Sequence, residues 1–264
     1  MHVRQLELLR EWFKEYVRGF YSPDPQVQEA ISYKEKHTRQ VCEKIVRLGR
    51  SLGLGESDLL LAEAVALLHD VGRFVQLARY RTFNDRRSEN HALLGVRELE
   101  ASGVLRPLEE EERRLLKEAI EYHSLPELPD GLPERTALFA RLIRDADKLD
   151  ILENFTAALE KERSALNPLL YGGLDGSPDY SPALLESLLQ GRRCRYDQLR
   201  TFNDRKLLML SWLFDINFKH TMEEIARRQI VEKIVQTLPQ GEEIRQLYRH
   251  LKGYMERFLA GRGS

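Results

Sequence analysis

The chain is poor in cysteine. Among 264 residues only Cys42 and Cys194 occur, too few and too far apart for a disulfide framework or a zinc knuckle. Long apolar runs are also missing. No stretch reaches the roughly 18 consecutive apolar residues of a membrane-spanning helix, and no signal peptide opens the sequence. An excess of positive charge is absent too: 41 Lys and Arg face 42 Asp and Glu, for a net charge of −1. That argues against a general nucleic-acid binder, which should be visibly basic. Strand-like alternation of useful length appears nowhere. These absences place the protein in a reducing cytoplasm, away from membranes. Apolar residues at 42% and charged residues at 31% are ordinary for a globular chain. The length suits one large domain or two small ones.

What is present is helical periodicity, organised around Leu59–Phe74, LLLAEAVALLHDVGRF. From Leu59 to Leu68 every residue but Glu63 is apolar, which is too continuous for a surface helix and too short to span a bilayer. A helix buried on most sides follows, and it runs straight into His69-Asp70 and then Gly72. An imidazole beside a carboxylate at the end of a buried helix is expensive if left unpaired. A divalent first-row cation relieves that cost, because neutral His nitrogen and ionised Asp oxygen both suit it. The competing reading is a helix-ending Asp with a solvent-facing His.

Residues 1–20 carry a helical stripe of Leu6, Leu8, Leu9, Trp12, Phe13, Tyr16 and Val17, broken by Tyr21-Ser22-Pro23-Asp24-Pro25. The next helix is expected over Val27–Leu52, with His37 on its core side four residues before Val41. Gly53 and Gly55 end it, and Ser57-Asp58 offers a cap for the Leu59 helix. After Gly72 the chain reads as an Arg-rich, largely solvated loop carrying Arg73, Arg79, Arg81, Arg86 and Arg87. Helical periodicity resumes over Glu89–Ala101 with His91 in the first turn. It appears again over Glu109–Tyr122, which delivers His123 before the Pro-rich SLPELPDGLP. A further helix runs from Pro133-Glu134 through Asp147 to about Ala158. Asn167–Pro182, rich in Gly and Pro, reads as a long excursion near the site or a linker. The remainder is expected to be helical over 183–191, 204–218, 220–237 and 241–260. RTFNDR occurs twice, at Arg81–Arg86 and Arg200–Arg205. Its surroundings do not match, so it reads as coincidence.

Four of the seven histidines, His37, His69, His91 and His123, lie on or at the end of separate expected helices, and Asp147 follows on a fifth. The order His … His-Asp … His … His … Asp resembles the HD-domain metal-dependent phosphohydrolase superfamily. The carriers are His37 in YKEKHTRQV, His69-Asp70 in ALLHDVGRF and Asp147 in RDADKLD, with His91 in SENHALLG and His123 in AIEYHSLP at the positions of two further histidines. The resemblance covers roughly residues 30–155. It implies an all-α fold, with an HD-type helical core over 1–160 and a helical C-terminal extension over 161–264 packed on it in one compact domain. Ligands from facing helices would converge in a bundle interior.

The resemblance further implies a metal-dependent phosphohydrolase acting on a phosphomonoester or phosphodiester. It uses one or two divalent ions, with iron, manganese, cobalt, nickel and zinc not distinguished. His37, His69, Asp70 and Asp147 would hold the first ion. Asp70, as a bridge, would hold the second with His91 and His123; either of these histidines could instead hydrogen-bond substrate. Lys148, beside Asp147, would neutralise a phosphate or protonate a leaving group, although a surface ion pair with Asp145 or Glu153 explains it as well. Asp150, one turn on, would orient a ligand from behind, or equally cap nothing and face water. Arg73, three residues after Asp70, is the arginine best placed for an anionic substrate. Two other readings stay open: a dinuclear-iron oxygenase of the same superfamily, as in myo-inositol oxygenase, and a non-catalytic nucleotide sensor. The GYP sequence of one cyclic-dinucleotide branch is absent. The expected partner is a small phosphorylated substrate such as a mononucleotide, a phosphoester or a cyclic dinucleotide, and homo-oligomers are compatible with all of this.

Overall fold

The computed structural model describes residues 1–161, 166–171 and 174–261. Its helices are α1 (Val3–Arg18), α2 (Pro25–Ser51), α3 (Glu56–Leu68), α4 (Val71–Tyr80), α5 (His91–Ser102), α6 (Glu110–His123), α7 (Glu134–Leu159), α8 (Pro168–Tyr171), α9 (Pro182–Leu189), α10 (Phe202–Ser211), α11 (Lys219–Arg227), α12 (Ile230–Gln236) and α13 (Glu242–Leu259). Extended pairing among the described residues is limited to an isolated bridge between Asp175 and Thr201. The fold is all-α, as expected. It divides into two compact units, one of Met1–Asp150 with Asn167–Leu170 and one of Ile151–Leu166 with Tyr171–Ser264.

In the first unit α1 buries Leu6, Leu9, Phe13 and Val17 along one stripe, the spacing of an amphipathic helix. α2 starts where Asp24 accepts hydrogen bonds from the Gln26 and Val27 amides at 3.0 and 3.3 Å, with Pro25 in the first turn. Its buried face includes Ile31, Lys34, His37, Val41 and Ile45. α3 is buried almost all round from Leu61 to Leu68, and its one charged interior residue, Glu63, reaches out to Arg10. The Ser57-Asp58 cap is not used. Gly55 occupies the N-cap and the helix begins at Glu56, so both side chains already lie in the first turn.

The stretch after Gly72 differs from the expected loop, because α4 continues to Tyr80. Val71, Phe74, Val75 and Leu77 are buried, and the Phe74 ring lies 6.0 to 6.4 Å from those of Phe13, Tyr16 and Phe20. Arg79, Arg81, Arg86 and Arg87 are exposed. A glycine and a cluster of arginines hid a short amphipathic helix. Gly72 itself is required by a close approach. A Cβ there would stand 2.0 Å from the His91 carbonyl oxygen and 2.5 Å from the Gly95 amide nitrogen. The missing side chain lets α5 lie directly against the start of α4.

In the second unit α10 is capped by Thr201 and Asp204. The Asp204 carboxylate also receives the Ser181 amide at 2.6 Å and the Arg200 amide at 2.8 Å. The helix expected over 204–218 ends at Ser211 in a tight turn over Trp212–Asp215. The one expected over 220–237 is split at Gln229, whose φ of +54° is left-handed. The two RTFNDR copies adopt different structures, Arg81 left-handed before a short 3-10 turn and Thr201 capping a helix. Within the Asn167–Pro182 stretch, Gly172 and Gly173 lie outside the described residues. Asn167 belongs to the first unit, where its amide donates to the Gln26 carbonyl and to Glu29, both at 2.9 Å.

Candidate metal centre

Six side chains expected from the sequence converge inside the first unit. His37 sits mid-way along α2, His69 at the C-terminal end of α3, and Asp70 at the N-cap position of α4. His91 is the first residue of α5, His123 the last of α6, and Asp147 lies in α7. The four histidines and Asp70 are buried, and Asp147 is half-buried. Asp70 occupies a capping position, yet its carboxylate caps nothing. It is turned into the cluster instead.

Each imidazole is fixed from behind through Nδ1. His69 Nδ1 lies 2.7 Å from the Ala66 carbonyl and His123 Nδ1 2.5 Å from that of Ile120. These are one turn back on their own helices, where only an N–H satisfies the acceptor. His37 Nδ1 is 2.6 Å from Asp150 and His91 Nδ1 2.7 Å from Asp85. Carboxylate and carbonyl acceptors place the proton on Nδ1 in all four rings. The Nε2 lone pairs therefore face one another across the cluster, as metal-bound histidines are usually held.

That arrangement is unfavourable without a cation. His91 Nε2 and His123 Nε2 are 3.1 Å apart, a hydrogen bond only if one ring carries a second proton. Burial and then Arg73 lower the His91 pKa, while burial with the neighbouring His91 and His69 brings His123 down to about 3. Both rings are thus neutral, and two lone pairs confront each other. His37 Nε2 lies 3.1 Å from Asp147 Oδ1, but the contact lacks hydrogen-bond geometry. His37 Nε2 and His69 Nε2 are both buried without a hydrogen-bond partner. Burial and Lys34 push the His37 pKa down, but Asp147 and Asp150 outweigh them and raise it. The same carboxylates that favour a proton there favour a metal ion.

Asp70 divides the cluster in two. Its Oδ2 is 3.6 Å from the Nε2 atoms of both His37 and His69, whereas Oδ1 is 3.5 Å from His91 Nε2. Burial acts to raise the Asp70 pKa, but Lys34, His69, Arg73 and His91 hold it well below the usual carboxylate range. Asp147 is likewise held low, against burial, by His37 and His69. Among the described residues, three overlapping sets could each hold a metal ion: His37, His69 and Asp70; His69, His123 and Asp147; and Asp70, His91 and His123. Imidazole nitrogen and ionised carboxylate oxygen, with two buried nitrogens unsatisfied, fit a divalent transition metal.

Residues 35–152 match the family model of the HD domain. This part of the chain is similar to the HD-domain family. No curated protein and no solved structure matches the chain. The match contains all six side chains, whereas Lys34 lies immediately before its first residue.

Further charged residues surround these six, among them Lys34, Asp85, Lys44 and Arg144, which the sequence pattern did not single out. Lys34 Nζ is 2.6 Å from Asp70 Oδ2. Asp85 accepts from Arg73 Nη1 and Gln76 Nε2, both at 2.8 Å, besides holding His91. Lys44 lies 2.7 Å from Asp150 Oδ1, the other oxygen of the carboxylate that holds His37. Arg144 is buried and donates to the carbonyls of Tyr122, His123, Leu125 and Pro126, locking the chain where α6 delivers His123. Arg73 is at the cluster, its Nε 3.5 Å from Asp70 Oδ1, with Nη1 also committed to the Phe83 carbonyl and Gln76. Lys148 is buried, not on the surface, and its Nζ lies 3.4 Å from the Arg144 carbonyl.

Proposed function

We propose that this protein hydrolyses a small phosphoester, using a divalent metal held by the His/Asp cluster. The observation that carries the reading is the division of Asp70, with Oδ2 towards His37 and His69 and Oδ1 towards His91. In this reading His37, His69, Asp70 and Asp147 hold a first ion, and Asp70, His91 and His123 a second. A divalent ion supplies a Lewis acid for a phosphoryl oxygen and lowers the pKa of bound water towards neutrality. The chain does the rest. Asp85, Asp150 and the Ala66 and Ile120 carbonyls hold a proton on each Nδ1, so that Nε2 is the atom each imidazole turns to the cluster. Arg73, anchored by Asp85, sets a guanidinium beside the carboxylate where an anionic group would arrive. Lys148 adds a buried positive charge one residue beyond Asp147. The HD-domain match supports hydrolysis of a phosphorylated small molecule, a mononucleotide being one candidate.

The test removes Asp70, whose two oxygens face the two sets. Asp70→Ala is expected to lose bound metal and to abolish phosphate release from a panel of phosphomonoesters and phosphodiesters. Full metal content and full turnover in that variant would overturn the assignment. Oxygen consumption without phosphate release by the wild-type protein would overturn the reaction class.

A further inference from the structure

Lys34 stands one turn before His37 on the buried face of α2. Its ammonium lies 2.6 Å from Asp70 Oδ2 and 5.7 Å from the centroid of the Phe83 ring. Oδ2 is the same oxygen that lies 3.6 Å from His37 Nε2 and from His69 Nε2. A metal ion taken up by those two imidazoles and Asp70 has to share Oδ2 with a lysine already bound to it. Arg73 also stands by Asp70, its Nε 3.5 Å from Oδ1, but its Nη1 is answered by Asp85 at 2.8 Å, and Lys44 is answered by Asp150 at 2.7 Å. The ion pair of Lys34 is with the proposed bridging ligand itself.

We propose that Lys34 is a built-in competitor of the metal, a counter-cation that neutralises Asp70 in the metal-free protein and weakens metal binding when an ion enters. The inference rests on reading the cluster as a metal centre. Two consequences follow from electrostatics. Without metal, the ammonium removes most of the penalty of a buried carboxylate, so the site need not unfold when it loses its ion. With metal, the ammonium and the ion repel at close range in a poorly screened interior. Lys34 thereby makes the ion more readily exchanged. A purely supporting role, in which Lys34 only orients Asp70 for the metal, has the opposite sign: its removal would weaken metal binding.

The test is a Mn²⁺ titration of the metal-stripped full chain, with the thermal midpoint of the metal-free form measured alongside. Lys34→Gln keeps an amide donor for Asp70 and removes the charge, and Lys34→Arg keeps the charge. In Lys34→Gln the Mn²⁺ dissociation constant is expected to fall by about tenfold or more, with a lower metal-free midpoint. Lys34→Arg is expected to stay near wild type in both. Should Lys34→Gln fold poorly without metal, Lys34→Met purified in Mn²⁺ and challenged with a chelator gives the same readout, slower release than wild type. Equal or weaker Mn²⁺ binding in the neutral variants, with wild type binding normally, would overturn the competitor role alone. A wild-type protein that binds no Mn²⁺ would overturn the metal reading and this inference with it.

Discussion

At the scale of single residues, the cluster depends on which nitrogen of each imidazole carries the proton. Two rings are fixed by carbonyls one turn back on their own helices, an arrangement helix geometry supplies once the histidine is at a helix end. The other two need carboxylates from elsewhere, Asp150 for His37 and Asp85 for His91. Asp85→Ala is expected to weaken binding of the second ion by roughly 10- to 100-fold while leaving the first bound. A two-step metal titration checks this, and unchanged affinity at the weaker step would show that His91 needs no such anchor. Asp150 was a candidate from the sequence because it lies on α7 one turn after Asp147, but periodicity alone left a solvent-facing position equally open. Asp85 was not, since it sits between helices where no periodicity marks a side chain as inward. Lys34 shares the inward face of His37, but a lysine is expected on a core face only with a partner. That partner, Asp70, is 36 positions away.

At the scale of elements, the site is built by helices that must come close without side chains between them. Gly72 and Gly95 form such a contact, and it is what sets His91, at the first position of α5, beside Asp70, just before α4. Gly72→Ala would drive a methyl group into the His91 carbonyl and force the two helices apart. The expected result is a loss of stability at or above the usual overpacking cost of about 1–3 kcal/mol, with loss of the second ion before the first. Denaturant unfolding and metal content check both, and wild-type values in both would contradict the account. The sequence reading took Gly72 as the point where a helix gave way to a loop. Glycine punctuation is ambiguous in that way: the same residue marks a turn or a place where backbones touch. A similar ambiguity applied at Gln229, where the apolar period runs through a left-handed residue and no Gly or Pro announces the break between α11 and α12.

At the scale of the molecule, all six proposed ligands belong to the first unit, and the HD-domain match ends at residue 152, two residues past its Asp150 boundary in α7. The legible part of the chain is the part where chemistry restricts residue type. A buried His-Asp pair has few uses, and four histidines on separate helices in that order have fewer. Residues 151–264 offered only apolar periodicity, which is enough to find helices and too little to say what they do. The central claim is that the cluster holds two ions bridged by Asp70, and metal stoichiometry tests it most directly. Wild-type protein loaded with Mn²⁺ and freed of excess should carry close to two ions per chain, and His123→Ala close to one. A single ion in the wild type, unchanged in His123→Ala, would contradict it.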